Sequence, residues 1–269
     1  MSDLKVAVAG AGGKMGGANI RAIAATPGLA VYSAFDRSGP AIGRDAGELA
    51  GVDALGVAIT DNVDAALTGA EAIIDFTAPA NSVALAKEAA RRGLIHIIGT
   101  TGCIEADDAA ITDAAANGAR IVKAGNFSLG VNVLLGLVKQ AAAALPGFDI
   151  EILEMHHNKK VDAPSGTALM LGEAAARGRN LDLKTHSVRV RDGHTGPREA
   201  GSIGFATLRG GNVVGEHKVI LAGPSERIEL NHIADNRALF ADGAVRAALW
   251  ARDQRPGLYS MADVLGFNS

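Results

Sequence analysis

The sequence predicts an α/β protein built as a parallel sheet with helices on both faces, joined to a second α+β domain with a mixed or antiparallel sheet. Three observations predict it. Short apolar runs alternate with helix-period segments over residues 4–123. Glycine clusters close several of those runs. Beyond residue 128 the alternation gives way to one long apolar helix and then to β-type runs broken by Gly-rich turn signals. At roughly 150 residues per domain, 269 residues allow one or two domains.

Taken in order, Leu4 to Ala9 is a strand-type run, Gly10 to Gly17 a glycine loop, and Ala18 to Ala25 a helix. Leu29 to Phe35 is the next strand and stops at Asp36. Val57 to Thr60 is a weak strand, and Asp61-Asn62 starts a helix. Ala72 to Phe76 is an apolar run of buried-strand type. Pro79 opens a helix to Arg92, because proline costs nothing at a first helical position, and Gly93 closes it. Leu94 to Ile98 is a strand, Glu105 to Asn117 a helix stopped by Gly118, and Ala119 to Lys123 a further strand. A long helix over Gly130 to Leu145 ends at Pro146-Gly147. Phe148 to Glu154 alternates with period two, and Thr167 to Arg177 is helical. Residues 185–233 read as antiparallel strands, with turns at Arg191-Asp192-Gly193, Arg209 to Asn212 and Gly223-Pro224-Ser225. Asn236 to Trp250 returns to helix, giving one domain of residues 1–128 and 236–269 and another of residues 129–235.

Composition removes several classes. The 26 basic and 29 acidic residues leave a net charge of −3, which rules out a strongly basic chain, so nucleic acid is not expected as a partner. A single cysteine, Cys103, excludes an intramolecular disulfide and fits a reducing cytoplasm. The longest apolar stretch, Val131 to Leu145, carries Asn132, Lys139 and Gln140 and falls short of the roughly 20 residues a membrane span needs. The first residues have no basic segment followed by an apolar one, so no signal peptide is expected.

The glycine loop carries the first chemistry. Gly10, Ala11, Gly12, Gly13, Lys14 and Met15 join a strand to a helix, where glycines let a pyrophosphate approach the backbone and the helix start offers N–H groups. The G-x-G-x-x-G spacing is met at Gly10 and Gly12 but not at Met15, whereas Gly10-Gly13-Gly16 fits in full. Asp36 ends the second strand 20 residues after Gly16, where an acid binds ribose hydroxyls, and Arg37 beside it suits a 2′-phosphate. NADH and NADPH are therefore both expected cofactors of a Rossmann-like domain. Gly99, Thr100 and Thr101, and Ala124, Gly125, Asn126 and Phe127, end later strands on the same edge, with Phe127 as an expected platform for a nicotinamide ring. A plain glycine-rich turn and ordinary loop chemistry are the alternatives at each place.

The densest chemistry runs from Glu154 to Ala168, with His156, His157, Lys159 and Lys160 just before a Pro164-Ser165 helix start. Gly166 and Thr167 would lie in the first turn, whose amides and dipole favour an anion. Histidine supplies a proton near neutral pH. The arrangement suits a small substrate with carboxylates, and no metal is expected, because adjacent histidines on a strand point to opposite faces and Cys103 is remote. A solvated basic loop is the alternative.

The glycine loop, Asp75-Phe76-Thr77, Gly99 to Gly102, and above all Glu154 to His157 with Lys160 to Ala168 resemble the dihydrodipicolinate reductase family over nearly the whole chain. Gly193 to Gly196, Ile203 to Phe205 and Val214 to His217 resemble it too. The family often has Glu-Arg after the second strand, where this chain has Asp36-Arg37. The resemblance implies a cytoplasmic, tetrameric enzyme of the diaminopimelate–lysine pathway. It would deliver hydride from NADH or NADPH to a cyclic dicarboxylate, with loss of water. It implies His156 as proton donor or acceptor and Lys160 as second proton donor. His157, Gly166 and Thr167 would be substrate contacts, and the loop residues named above cofactor contacts. A different dehydrogenase and a non-catalytic nicotinamide binder are the competing readings. Cys103, just after Gly102 in an expected cofactor loop, argues against the thiol of an aldehyde oxidant.

Overall fold

The structure, a computed structural model, describes residues 2–267. Met1, Asn268 and Ser269, the outermost positions of the expected first domain, lie outside the described residues. Two compact units are present: the chain up to Ser128 together with the part from Ala238 onward, and Leu129–Arg237.

The first unit runs β1 (Leu4–Ala9), α1 (Lys14–Ala25), β2 (Leu29–Phe35), α2 (Ala46–Ala50), β3 (Ile59–Thr60), α3 (Val63–Leu67), β4 (Ala72–Asp75), α4 (Pro79–Arg92), β5 (Ile95–Ile98), α5 (Glu105–Ala116) and β6 (Arg120–Lys123). The second unit holds α6 (Leu129–Ala144), β7 (Asp149–His156), α7 (Gly166–Gly178), α8 (Leu183–His186), β8 (Ser187–Val188), β9 (Ile203–Arg209), β10 (Glu216–Ala222) and β11 (Arg227–Ile233). The chain then returns to the first unit with α9 (Ala238–Ala251), β12 (Gly257–Tyr259) and α10 (Met261–Val264).

The first unit is a wholly parallel, Rossmann-like sheet of seven strands in the order β12-β6-β5-β4-β1-β2-β3. Every residue of β4 and β5 is buried, as a parallel sheet covered on both faces requires. The strand order reverses between β1 and β4, so their carboxyl ends flank the crevice where open α/β sheets take ligands. Local signals set the helix ends: Pro79 at the start of α4, and Gly93 at φ +67° after it. Helix α1 begins at Lys14, four residues before the expected Ala18. Gly16 and Gly17 are helical, and a Cβ at Gly16 would stand 2.1 Å from the Gly10 carbonyl oxygen. Glycine there reflects close helix–strand packing rather than a loop.

The second unit has a five-stranded sheet in the order β11-β10-β7-β9-β8. The strands after residue 185 are not all antiparallel as expected. β10 is antiparallel to β7 and β11, but β9 is parallel to both β7 and β8. A parallel return needs a crossover of a dozen residues or more, and α7 supplies it. The alternation of β7 turns Ile150, Ile152, Glu154 and His156 inward. Ile150 and Ile152 join Ile203, Phe205, Val219 and Leu221 against Leu134 and Val138 of α6 and Leu171 and Ala175 of α7. Full burial of each large aliphatic side chain contributes about 2 kcal/mol. Along the sheet this inward face changes from apolar to polar, ending in Glu154, His156, Arg209, His217 and His232.

With few aromatics available, the first unit packs closely through small residues. Gly243 of α9 lies so near the loop after β6 that a Cβ would sit 1.7 Å from the Phe127 carbonyl oxygen. Gly243→Ala is therefore expected to destabilise the protein by about 1–3 kcal/mol. A thermal melt checks it, and an unchanged midpoint would contradict this packing.

Candidate active site

A cleft of about 800 Å³ opens in the first unit at the carboxyl ends of its strands, bounded by Gly10, Gly12 and Gly13, by Asp36 and Arg37, and by Phe76 and Thr77. The glycine loop is shaped by contact. A Cβ at Gly12 would meet the Ala41 Cβ at 2.7 Å and an Asp36 carboxylate oxygen at 3.0 Å. Asp36 accepts hydrogen bonds from the Gly12 and Arg37 backbone N–H groups, both at 2.8 Å. The carboxylate is thus fixed beside the loop. A backbone cradle that side chains would fill, with an acid at its rim, fits a dinucleotide. Of the expected cofactor residues, Gly10, Gly12, Gly13, Asp36 and Arg37 line the cleft, while Ala11, Lys14, Met15, Gly99, Thr100, Thr101, Ala124, Gly125, Asn126 and Phe127 are not among its walls.

Phe127 corrects an expectation. Its ring is 1% exposed and packs on Phe76 at 5.6 Å between centroids, so it belongs to the core and offers no platform to a nicotinamide. Gly243 of α9 lies close against the Phe127 carbonyl on the other side.

Beneath the cleft a buried network joins the ends of β4 and β5. Asp75 accepts from the Thr77 N–H at 3.0 Å, the Thr77 hydroxyl at 2.6 Å and the Ser82 hydroxyl at 2.5 Å. His96 Nε2 stands 3.3 Å from the same carboxylate. The Thr77 N–H also reaches the Thr100 hydroxyl oxygen at 3.0 Å. Burial alone would raise the Asp75 pKa, but His96 and the hydroxyls together hold it below the ordinary carboxylate value. Thr100 is thus engaged in bracing the sheet edge.

The second unit assembles the other candidates at the polar end of its sheet. His156 closes β7, and its Nδ1 lies 2.6 Å from Glu154, two residues back on the same face. Glu154 is 1% exposed. It accepts both arms of the Arg209 guanidinium, at 2.8 and 2.9 Å, and the Ser165 N–H at 3.1 Å. Ser165 is the N-cap of α7, accepting from the Ala168 N–H at 3.1 Å. His217 Nε2 is 3.0 Å from the same hydroxyl oxygen, and the His217 ring meets His156 edge-on at 5.1 Å. Loop positions are pinned by backbone bonds from the His157 N–H to Val213 and from the Gly210 N–H to His156. Lys160 donates to both carboxylate oxygens of Asp162, at 2.7 and 2.9 Å. Arg237 donates to His157 Nε2 at 3.3 Å. Nothing lies within 4 Å of where a Gly166 Cβ would be, so the approach to the first turn of α7 is open there.

Protonation follows from these contacts. Burial pushes His217 down to about 4, so its ring is neutral at pH 7. Burial also lowers His156, reinforced by the charges of Lys160 and Arg209 and opposed by Glu154. Glu154 would be raised by burial, but Arg209, His156 and the Ser165 N–H hold it below its ordinary value and it stays ionised. Sequence reasoning brought His156, Lys160, Gly166 and Thr167 forward. It missed the roles of Glu154, Arg209, His217 and Arg237. Only Glu154 had a local signal, its period-two spacing from His156. Among the described residues no three His, Cys, Asp or Glu side chains gather as metal ligands would, and no helix is long and apolar enough to cross a membrane.

Comparison with known proteins bears on both units. The family model described as dihydrodipicolinate reductase, N-terminus, matches residues 4–127, and that described as dihydrodipicolinate reductase, C-terminus, matches residues 130–265. The chain is 60% identical over 274 residues to 4-hydroxy-tetrahydrodipicolinate reductase of Rhizobium rhizogenes, covering all of both chains. It is 59% identical over 270 residues to the enzyme of that name from Rhizobium meliloti, covering 99% of each. A solved structure of dipicolinate-bound dihydrodipicolinate reductase from Paenisporosarcina sp. TG-14 superimposes with a TM-score of 0.78 at 22% identity, over 96% of this chain and 97% of that one. At that identity the likeness is one of fold.

The Asp75 network makes a pH prediction. A carboxyl whose folded pKa lies below its unfolded value stabilises above the unfolded value, and that contribution is lost as pH falls through the folded one. Asp75→Asn is expected to cost about 2 kcal/mol at pH 7, with the gap from wild type closing below about pH 4. Denaturant unfolding at both pH values checks this. A pH-independent difference would mean that Asp75 does not stabilise the fold through its charge.

Proposed function

The chain belongs to the dihydrodipicolinate reductase family and is an oxidoreductase of diaminopimelate and lysine biosynthesis, and we propose that it works as follows. The substrate is 4-hydroxy-tetrahydrodipicolinate, which gains a hydride and a proton and loses its hydroxyl as water to give tetrahydrodipicolinate. A bound NADH or NADPH supplies the hydride. Gly10 to Met15 would hold its pyrophosphate, Asp36 and Arg37 its adenosine ribose, and the backbone of Gly99 to Thr101 and Ala124 to Phe127 its nicotinamide end. Asp36 is shorter than the glutamate common in the family, and with Arg37 beside it both cofactors are accepted.

In the second unit, Gly166 and Thr167 receive one substrate carboxylate at the start of α7, where helix dipole and backbone donors favour an anion. His157, backed by the Arg237 guanidinium, contacts the other side of the ring. Hydride arrival builds electron density on the substrate. His156 and Lys160 are the proton sources that relieve it. At rest His156 is neutral, and two negative charges placed beside it favour its imidazolium form. The observation that carries this reading is that Glu154 hydrogen-bonds both the His156 ring and the cap of α7, so proton source and anion turn share one anchor.

We read the assembly as a homotetramer in the cytoplasm. In support, the sheet face away from α6 and α7 presents Leu153, Met155, Leu208, Ile220 and Ile233, and Ile233 is 64% exposed. Light scattering should then give about four times the 27.3 kDa chain mass. A monomer at micromolar concentration would refute it.

His156→Gln is expected to lower kcat by roughly 10²–10⁴-fold with cofactor affinity nearly unchanged. Lys160→Ala should lose both rate and substrate binding. The assay uses freshly generated hydroxy-tetrahydrodipicolinate with each reduced cofactor, followed by nicotinamide absorbance. Unchanged kcat/KM in both variants would overturn the assignment.

A further inference from the structure

We propose that Glu154 is a positioning residue for the proton-handling histidine: its carboxylate fixes the tautomer and orientation of His156 and ties that ring to the cap of α7. This rests on the reading of His156 as a proton source.

Cost is the first argument. The inward neighbours of Glu154 on β7 are Ile150 and Ile152, both fully buried. Packing alone would place another aliphatic there, since a buried carboxylate is unfavourable unless surrounded by donors. Glu154 is surrounded. It accepts two hydrogen bonds from Arg209, one from the Ser165 N–H and one from His156 Nδ1. Arg209 alone would satisfy a structural carboxylate in bidentate fashion. The 2.6 Å approach of the imidazole is an additional contact.

Tautomer is the second argument. An ionised carboxylate only accepts, so Nδ1 of His156 must carry the hydrogen. That leaves Nε2 as the atom that exchanges a proton with anything else. Gly215 keeps that atom accessible, because a Cβ there would lie 3.0 Å from Nε2. Among the described residues, the charges of Lys160 and Arg209 oppose the imidazolium, and the neutral His217 ring meets it edge-on. Glu154 is the group that opposes them. Without it, ring orientation and readiness to accept a proton are lost together.

The Ser165 link is the third argument. Its N–H donates to Glu154, and its hydroxyl caps α7 and meets His217. A displacement of Glu154 therefore moves the anion turn and the imidazole in concert.

The test is a double-mutant cycle on the full-length protein with Glu154→Gln and His156→Gln, each assayed for kcat and for KM of substrate and cofactor. Glu154→Gln is expected to lower kcat at least about tenfold, with cofactor KM unchanged. In the His156→Gln background the same change is expected to cost less than about twofold. Equal losses in both backgrounds, or wild-type kcat in Glu154→Gln, overturn the proposal. Wild-type kcat in His156→Gln would instead overturn the assignment of His156. Glu154→Asp, which keeps the charge, should recover part of the loss, and no recovery counts against the carboxylate's role. A measurement on the unaltered protein does not depend on any variant folding. Nitrogen-15 shifts of His156 should show a protonated Nδ1 and a bare Nε2 at pH 7–8, and the opposite tautomer overturns the proposal.

Discussion

An ionised carboxylate inside a sheet must be met by donors on every side, and in the second unit that constraint organises everything near it. Glu154 sits where the inward face of β7 would otherwise continue as isoleucine. The parallel register of β7 with β9 sets His156 beside Arg209, and the guanidinium reaches back to Glu154. The helix that follows must start close by, because its Ser165 N–H is one of the required donors. The location of the imidazole and the direction of α7 are thus two consequences of one electrostatic requirement. Charge-assisted bonds of this kind are roughly twice as strong as neutral ones, so they specify geometry as well as add stability.

The first unit meets a similar requirement with different chemistry. Asp75 is also buried at a strand end, but its donors are hydroxyls, a backbone N–H and an imidazole rather than a guanidinium. Thr77, Ser82 and Thr100 are drawn into the network at that edge. Asp36, Arg37 and Asp61 are the charged residues lining the cleft. One unit sets a glycine loop beside a fixed carboxylate at the edge of its cleft. The other uses a dense group of side chains suited to a small, highly charged molecule.

Local patterns carried the parallel sheet, the glycine loop and the period-two face of β7, because each depends on residues a few positions apart. The parallel pairing of β9 was not legible, since direction is set by the crossover and not by anything within residues 203–209. Glycine misled at α1, where Gly16 serves helix–strand contact and looks like loop from sequence. Phe127 misled in the opposite sense. An aromatic residue at a strand end suggests a ligand platform, but the Phe127 ring packs on Phe76 in the core. In the second unit His156, Lys160 and the α7 start stood out as one dense local cluster. Arg209 and His217 come from β9 and β10 and Arg237 from beyond β11, so only the tertiary register brings them in.

On the proposed assignment of His156 as a proton source, the electrostatics of the polar cluster give a neutral histidine a way to serve as an acid. Its pKa is lowered by burial first, and the positive charges of Lys160 and Arg209 add to that. Arg209 is compensated by Glu154, and Lys160 is held by Asp162. A dicarboxylate arriving beside this group brings two negative charges. They offset the cations that disfavour the imidazolium, and they leave Glu154 in place to stabilise the Nδ1–H side of the ring. In that proposal the same ligand favours the protonated form that its reduction would need, and binding and proton uptake would be one linked step. A histidine already charged at rest would gain little from the substrate. One kept neutral until the ligand arrives ties its acidity to occupancy of the site.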